Sequence, residues 1–254
     1  MSERGTPRAV LVTGGAKRLG AAFVRALAAG GWRPVIHYGS SQDAADALAE
    51  ETGGVTVQAD LADARAVRGL VAAASDAAGA PLTGLVNSAS VFEHDTIEDV
   101  TLAATKHHHA VNAAAPVLLA RRFAEQAPEP AAGGGAAIVN VLDQKLWNPN
   151  PDHLSYTMSK AALAEATRLL AQGLSPRVRV MGVAPGYCLP NPTESDEAFA
   201  ARAPSVNLIK ARLQPEDVAA CVRFALECPA LTGSVLLADG GEHLVPKARD
   251  VVFT

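Results

Sequence analysis

The sequence predicts one doubly wound α/β domain: a seven-stranded parallel sheet in the order 3-2-1-4-5-6-7, with helices on both faces. Three observations predict it. Short apolar, β-branched runs alternate with helical patterns at intervals of roughly 20–40 residues across residues 1–254, with no break in composition. The runs are mostly apolar throughout rather than alternating, as in strands covered on both faces. The glycines and polar residues suited to chemistry fall just after the strands, at the edge where such sheets bind ligands.

Composition narrows the classes of function. A formal charge of −4 and a pI near 6.0 give no footprint for nucleic acid or an anionic membrane. No stretch approaches about 18 uninterrupted apolar residues, and the N-terminal residues 1–8 lack the apolar run of a secretory signal. Cys188, Cys221 and Cys228 show neither disulfide nor metal spacing, so the expectation is reduced thiols in a soluble cytoplasmic protein.

In chain order, residues 9–13 form the first strand. Thr13-Gly14-Gly15-Ala16-Lys17-Arg18-Leu19-Gly20 turns into a helix over 21–29, which Gly30-Gly31 stops. Glycines let the backbone approach a pyrophosphate, and the helix N-terminus offers free N–H groups and a positive partial charge. The second strand, 34–38, brings His37 and Tyr38, followed by Ser40, Ser41 and a helix over 42–51. No carboxylate ends this strand to accept ribose hydroxyls, whereas Arg18, His37, Ser40 and Ser41 are available. That set favours NADP(H) over NAD(H); packing against the sheet is an equally good reading of His37.

The third strand, 55–61, carries Asp60-Leu61, and a helix covers 62–78. The fourth, 82–87, runs into Asn87-Ser88-Ala89-Ser90-Val91-Phe92, and one long helix is expected over 97–126. That helix holds His107-His108-His109, which point three ways and cannot bind one metal together, so no metal site is expected. A Pro/Gly-rich surface connection over 124–135 leads to the fifth strand, 136–142, which delivers Asp143.

A helix over 153–172 follows, with Tyr156 and Lys160 four apart on one face. An ammonium beside a phenol lowers its pKa and suits it to donate a proton. The sixth strand, 178–183, opens a long segment, 184–213, read as a lid. Within it Tyr187 either lines a pocket or braces the loop. A helix from Pro215, a last strand over 234–238 and a tail over 242–254 complete the chain; the tail is a candidate cover for a neighbouring site.

Taken together these motifs resemble the short-chain dehydrogenase/reductase family over essentially the whole chain, with its Rossmann-type fold. The resemblance implies a cofactor turn at Gly14, Lys17, Arg18, Leu19 and Gly20, an adenine contact at Asp60-Leu61, and cofactor contacts at Asn87, Ser88, Ala89, Pro185 and Gly186. It implies a catalytic pair in Tyr156 and Lys160, and a proton-relay water organised by Asn112. Most members carry Ser where this chain has Asp143. A carboxylate accepts from N–H or supplies a proton to a ring nitrogen, and with Tyr156 and Lys160 it resembles the pteridine reductase branch. In that branch Ser90, Phe92, Asp143 and Tyr156 would meet the substrate, with Arg18 and Tyr187 as further candidate contacts, and His37-Tyr38 resembles its NADPH site. Ser40 stands where that branch usually has Arg, and Gly15 where it has Ala.

The expectation is therefore an NADP(H)-dependent reductase of a C=N bond in a small, dihydropterin-like molecule, assembled as a homotetramer. The alternatives are a reductase of unrelated carbonyls or imines and, more remotely, a cofactor-sensing regulator. For Asp143 the competing reading is a loop anchor at the strand end, and for Phe92 it is packing under the lid.

Overall fold

The computed structural model describes residues 8–129, 135–191 and 194–253. Seven parallel strands form one sheet in the order β3-β2-β1-β4-β5-β6-β7, the predicted order. The strands are β1 (Arg8–Thr13), β2 (Trp32–Tyr38), β3 (Val55–Gln58), β4 (Leu82–Asn87), β5 (Ala136–Val141), β6 (Val178–Pro185) and β7 (Val235–Ala238). Side-chain alternation explains the continuous apolar runs. Val10 and Val12 pack with helices α1 (Arg18–Ala29), α2 (Gln42–Thr52) and α8 (Pro215–Glu227) on one face. Ala9 and Leu11 pack with α3 (Ala64–Ala78), α5 (Ala115–Gln126) and α6 (Leu154–Leu174) on the other. A strand between two helical layers has no polar face to offer.

The long helix expected over 97–126 is not continuous. It begins as α4 at Leu102–His109, widens into a π turn over Ala110–Ala114, and resumes as α5. Pro116 supplies the reason: it has no N–H to donate to Asn112 O, and its ring crowds that carbonyl. The ladder shifts instead, so that Ala115 N–H reaches Ala110 O. The wide turn buries Val111, Asn112 and Ala113 in succession. The lid segment likewise contains a helix that pattern did not predict, α7 (Asp196–Arg202), begun by Ser195, whose side chain accepts from Ala198 N. Part of the 124–135 connection, the extreme termini and two lid residues fall outside the described residues.

Two devices seat α6, the helix carrying Tyr156 and Lys160. A buried chain of amides and hydroxyls runs from β4 through β5 into it: Asn87 Nδ2 donates to Asn140 Oδ1 (2.8 Å), Asn140 Nδ2 to Thr167 Oγ1 (2.9 Å), and Thr167 Oγ1 to Leu163 O (2.8 Å). Its N-terminus is capped from far along the chain, because His153 at the N-cap offers no side-chain cap. Buried Asp95 accepts from Ser155 N at 2.9 Å through its carboxylate, and its carbonyl accepts from Leu154 N. A carboxylate at this end also meets the positive pole of the helix.

Asp95→Ala removes that cap. The expected cost is about 1 kcal/mol of stability, lowering the melting temperature by a few degrees; an unchanged melting curve would show that α6 does not need it.

Candidate active site

A cavity of about 1000 Å³ opens along the C-terminal ends of the strands, across the switch point between β1 and β4. Lys17 to Gly20, Gly14, His37 and Ser40 line one end, with Asp60, Leu61, Ser88 and Ala89; Asp143, Tyr156, Lys160, Ser90, Phe92, Pro185, Gly186 and Tyr187 line the rest. Four residues expected in the site do not. Tyr38 and Ser41 lie outside the wall, Ser41 being the N-cap of α2. Asn87 and Asn112 are buried behind it.

The glycine-rich turn is fixed by its neighbours. Gly14 has φ +62°, and a Cβ there would stand 2.9 Å from Ala89 Cα; a Cβ on Gly20 would stand 2.1 Å from Gly14 O. No side chain can be accommodated at either position. Thr13 Oγ1 accepts from Ser88 N (3.0 Å) and Ala89 N (3.1 Å), tying the ends of β1 and β4 together. Arg18, itself at φ +53°, donates to Pro190 O at 2.8 Å and so links the turn to the lid.

His37 is buried and spans two turns. Its Nδ1 accepts from Gly14 N at 3.0 Å, which leaves Nε2–H to donate to Ala59 O at 3.1 Å. Burial pushes its pKa down to about 4, against an ordinary 6.5. The ring is therefore neutral and committed to backbone groups, not a cation held ready for a phosphate. That corrects the use of His37 as part of a 2′-phosphate site and supports the packing reading.

At the other end, Tyr156 Oη donates to Asp143 Oδ2 at 2.7 Å, and Asp143 Oδ1 accepts from Lys145 N at 2.8 Å. Asp143 thus anchors the loop, as the competing reading expected, and also meets Tyr156 at the cavity wall. Enclosure by protein raises its pKa, against the opposing pull of its hydrogen bonds and of Lys160. Lys160 Nζ donates to Val141 O at 2.8 Å and lies 5.8 Å from the Tyr156 ring centre. Burial lowers its pKa to about 8. The expected lowering of the Tyr156 pKa is reversed: burial and then the adjacent Asp143 charge raise it well above 10.0. The carboxylate sits nearer the phenol than the ammonium does.

Asn112 does not reach the cavity. It clamps Val91 through both backbone groups (N to Oδ1 2.8 Å, Nδ2 to O 2.9 Å) and donates to Ser159 Oγ at 3.0 Å. The π turn thereby ties the Ser88–Phe92 segment to α6. Phe92 stacks on His153 at 4.2 Å between ring centres and meets Tyr156 edge-on at 4.7 Å, while staying 43% exposed. Ser90 is exposed, and its hydroxyl donates to Val91 O at 3.2 Å. Tyr187 both lines the cavity and braces the lid, donating to Glu194. Cys188 also lines it, but burial pushes its thiol up to about 12, where it is inert. Among the triplet, His108 is buried between Ala104 O and Glu93 N, and no group of residues suited to a metal occurs among those described.

Sequence reasoning missed Gln144, Lys145, Glu242, Lys247 and Asp250, which also line the cavity. Glu242 is buried; it accepts from Tyr187 N (2.7 Å) and Lys247 Nζ (2.5 Å). It follows the seventh strand, so the strand-end rule that picked out Asp143 could have found it. Lys145 and Asp250 pair at 3.0 Å across 105 residues of chain, which no local pattern announces.

A phenol and an ammonium one helical turn apart, beside a glycine-rich turn at the sheet's switch point, are the working parts of an oxidoreductase. The chain belongs to the short-chain dehydrogenase family, whose model matches residues 8–200. It is similar to the alternative dihydrofolate reductase FolM of Brucella canis, solved in complex with NADP: 39% identity, 96% of each chain covered, TM-score 0.87. It is 31% identical to pteridine reductase 1 of Leishmania tarentolae (96% of this chain, 99% of that one). The 3-oxoacyl-[acyl-carrier-protein] reductase of Synechocystis is also 31% identical, over 93% of this chain and 97% of that one. No described helix is long and apolar enough to cross a membrane.

The two hydrogen bonds of His37 fix its tautomer. Nitrogen NMR is expected to find a neutral ring, protonated at Nε2, at pH 6. Because the folded pKa lies below the ordinary 6.5, the stability it contributes is complete above that pH and is lost as pH falls towards 4. A cationic His37 at pH 6 would contradict this.

Proposed function

We propose that the protein is an NADPH-dependent reductase of a ring C=N bond, acting on a dihydropterin or dihydrofolate-like molecule. The observation that carries the reading is Asp143 held on the Tyr156 hydroxyl at 2.7 Å. A site for simple carbonyls calls for hydrogen-bond donors alone; a carboxyl of raised pKa suits a substrate with ring nitrogens to protonate and N–H groups to accept from. The likeness to proteins named for dihydrofolate and pteridine reduction supports it.

The fit to the cofactor rests on the turn. Lys17, at the N-cap of α1, provides no side-chain cap, and the first residues of that helix open on the cavity. Gly14 and Lys17 to Gly20 would hold the pyrophosphate there. Arg18 and Ser40 would take the 2′-phosphate, Asp60 and Leu61 the adenine, and Ser88, Ala89, Pro185 and Gly186 the remainder. NADPH, when bound, supplies the hydride.

Asp143 gives the substrate nitrogen its proton, a task its raised pKa suits better than the still higher pKa of Tyr156 does. Tyr156 orients the carboxyl, and the Lys160 ammonium steadies the negative charge left behind. Phe92 offers its exposed face for a flat ring to stack on. Asn112 acts as a positioning residue through Val91 and Ser159. A cytoplasmic homotetramer joined through α5 and α6 belongs to the same reading, supported by Leu118, Met158 and Leu169, apolar and exposed on those helices.

Purified protein with NADPH is expected to oxidise the cofactor when a dihydropterin or dihydrofolate is added, and Asp143→Ser to lower kcat about 10²-fold. Cofactor oxidation with simple ketones but with no pterin would overturn the substrate class.

The depressed Lys160 pKa predicts a pH limb. Its ammonium is lost as pH rises through about 8, so kcat/KM, which reports the free enzyme, should fall above that value. A profile flat to pH 10 would remove Lys160's charge from the mechanism.

A further inference from the structure

The loop that joins Asp143 to the helix bearing Tyr156 is held by the chain's own C-terminal tail. Asn148 Nδ2 donates to Val245 O at 2.5 Å. Arg249 grips Asp152 with two nitrogens, Nε to Oδ2 at 2.9 Å and Nη2 to Oδ1 at 2.8 Å, and Asp250 N adds a third donor at 2.7 Å. Lys145 Nζ donates to Asn150 Oδ1 and to Asp250 Oδ2. The Asp152 and Lys145 side chains are almost wholly enclosed, at 1% and 4% exposure. A buried charge stripped of its partner is costly, so this attachment is firm.

The same tail lines the cavity. Asp250, Val251 and Val252 stand in its wall with Asp143, Tyr156 and Phe92. Phe253 meets His153 at 6.2 Å between ring centres, the ring on which Phe92 stacks. The apolar side of the substrate end is therefore continued by residues from the last turn of the chain.

We propose that residues 245–253 are a specificity-determining strap: they close the substrate end of the site, and they select a compact ring over the same ring carrying a long substituent. This rests on the pterin reading above and deepens it, since it ranks a short-chain dihydropterin ahead of dihydrofolate. Val252 sets the width of the wall, and Arg249 holds the strap in place.

The test compares kcat/KM for a short-chain dihydropterin and for dihydrofolate in the full-length protein, in Val252→Gly and in Arg249→Ala. The native chain should prefer the compact substrate, and both variants should reduce that preference about tenfold, the scale on which pocket contacts discriminate. Arg249→Lys should restore part of it. Val252→Gly leaves every ion pair in place, so it reads pocket width even if Arg249→Ala folds poorly. A preference unchanged in folded Val252→Gly, or a native preference for dihydrofolate, would overturn the proposal. Hydrogen exchange reports on the strap whatever the substrate is. Arg249→Ala should speed exchange of the amides of residues 144–152 and leave those of residues 14–20 unchanged; no change over 144–152 would sink the strap. Failure of every pterin to be reduced, with that exchange result obtained, would instead count against the proposed function alone.

Discussion

The hydrogen bond from Tyr156 to Asp143 is the contact on which the arrangement turns. It joins the loop after β5 to the third residue of α6, and together with burial it shapes the electrostatics of both groups. A phenol next to an ammonium is easily ionised; a phenol next to a carboxylate is not. Here the carboxylate is nearer: burial and then its charge hold the phenol's pKa up, and burial raises that of the carboxyl as well.

Holding that contact requires α6 to sit in one register on the sheet. The ladder from Asn87 through Asn140 to Thr167 crosses the core, and each of its side chains is buried. Such a network costs stability unless its members pair, and pairing is what gives it directional force. Asp95 fixes the same helix at its start. Elsewhere, Arg179 serves a comparable purpose: its guanidinium donates to the carbonyls of Ala225, Leu226, Cys228 and Leu231, a cation set where α8 ends and its carbonyls are free. Buried polar side chains thus serve the start of α6 and the end of α8 alike.

The sheet was readable from the sequence because each strand is a dense apolar run and each crossover a long helical one. The glycine turn, Asp143 and the Tyr156–Lys160 pair were readable because their chemistry is local: a fixed spacing, or a place just after a strand. What was not readable depends on contacts made across the chain. Spacing showed that Lys160 and Tyr156 share a face, but not that Asp143 would come closer to the phenol. His37 stood in the right strand for a phosphate, yet only the approach of Gly14 and Ala59 shows both its nitrogens in use. The break at Pro116 was visible in principle, since a proline inside a helical pattern marks a fault in the ladder. Its consequence, Asn112 turned onto Val91 and Ser159, was not.

That fault amounts to a phase shift. A regular helix advances about 100° per residue, so one residue more than the hydrogen-bond pattern needs rotates everything before it relative to everything after it. The stretch before the break presents His108 to Glu93, while the stretch after it presents Leu119 and Phe123 to the sheet. Each half meets its own partner at an angle that the other does not dictate, and a single imino acid lets one rod answer two geometries.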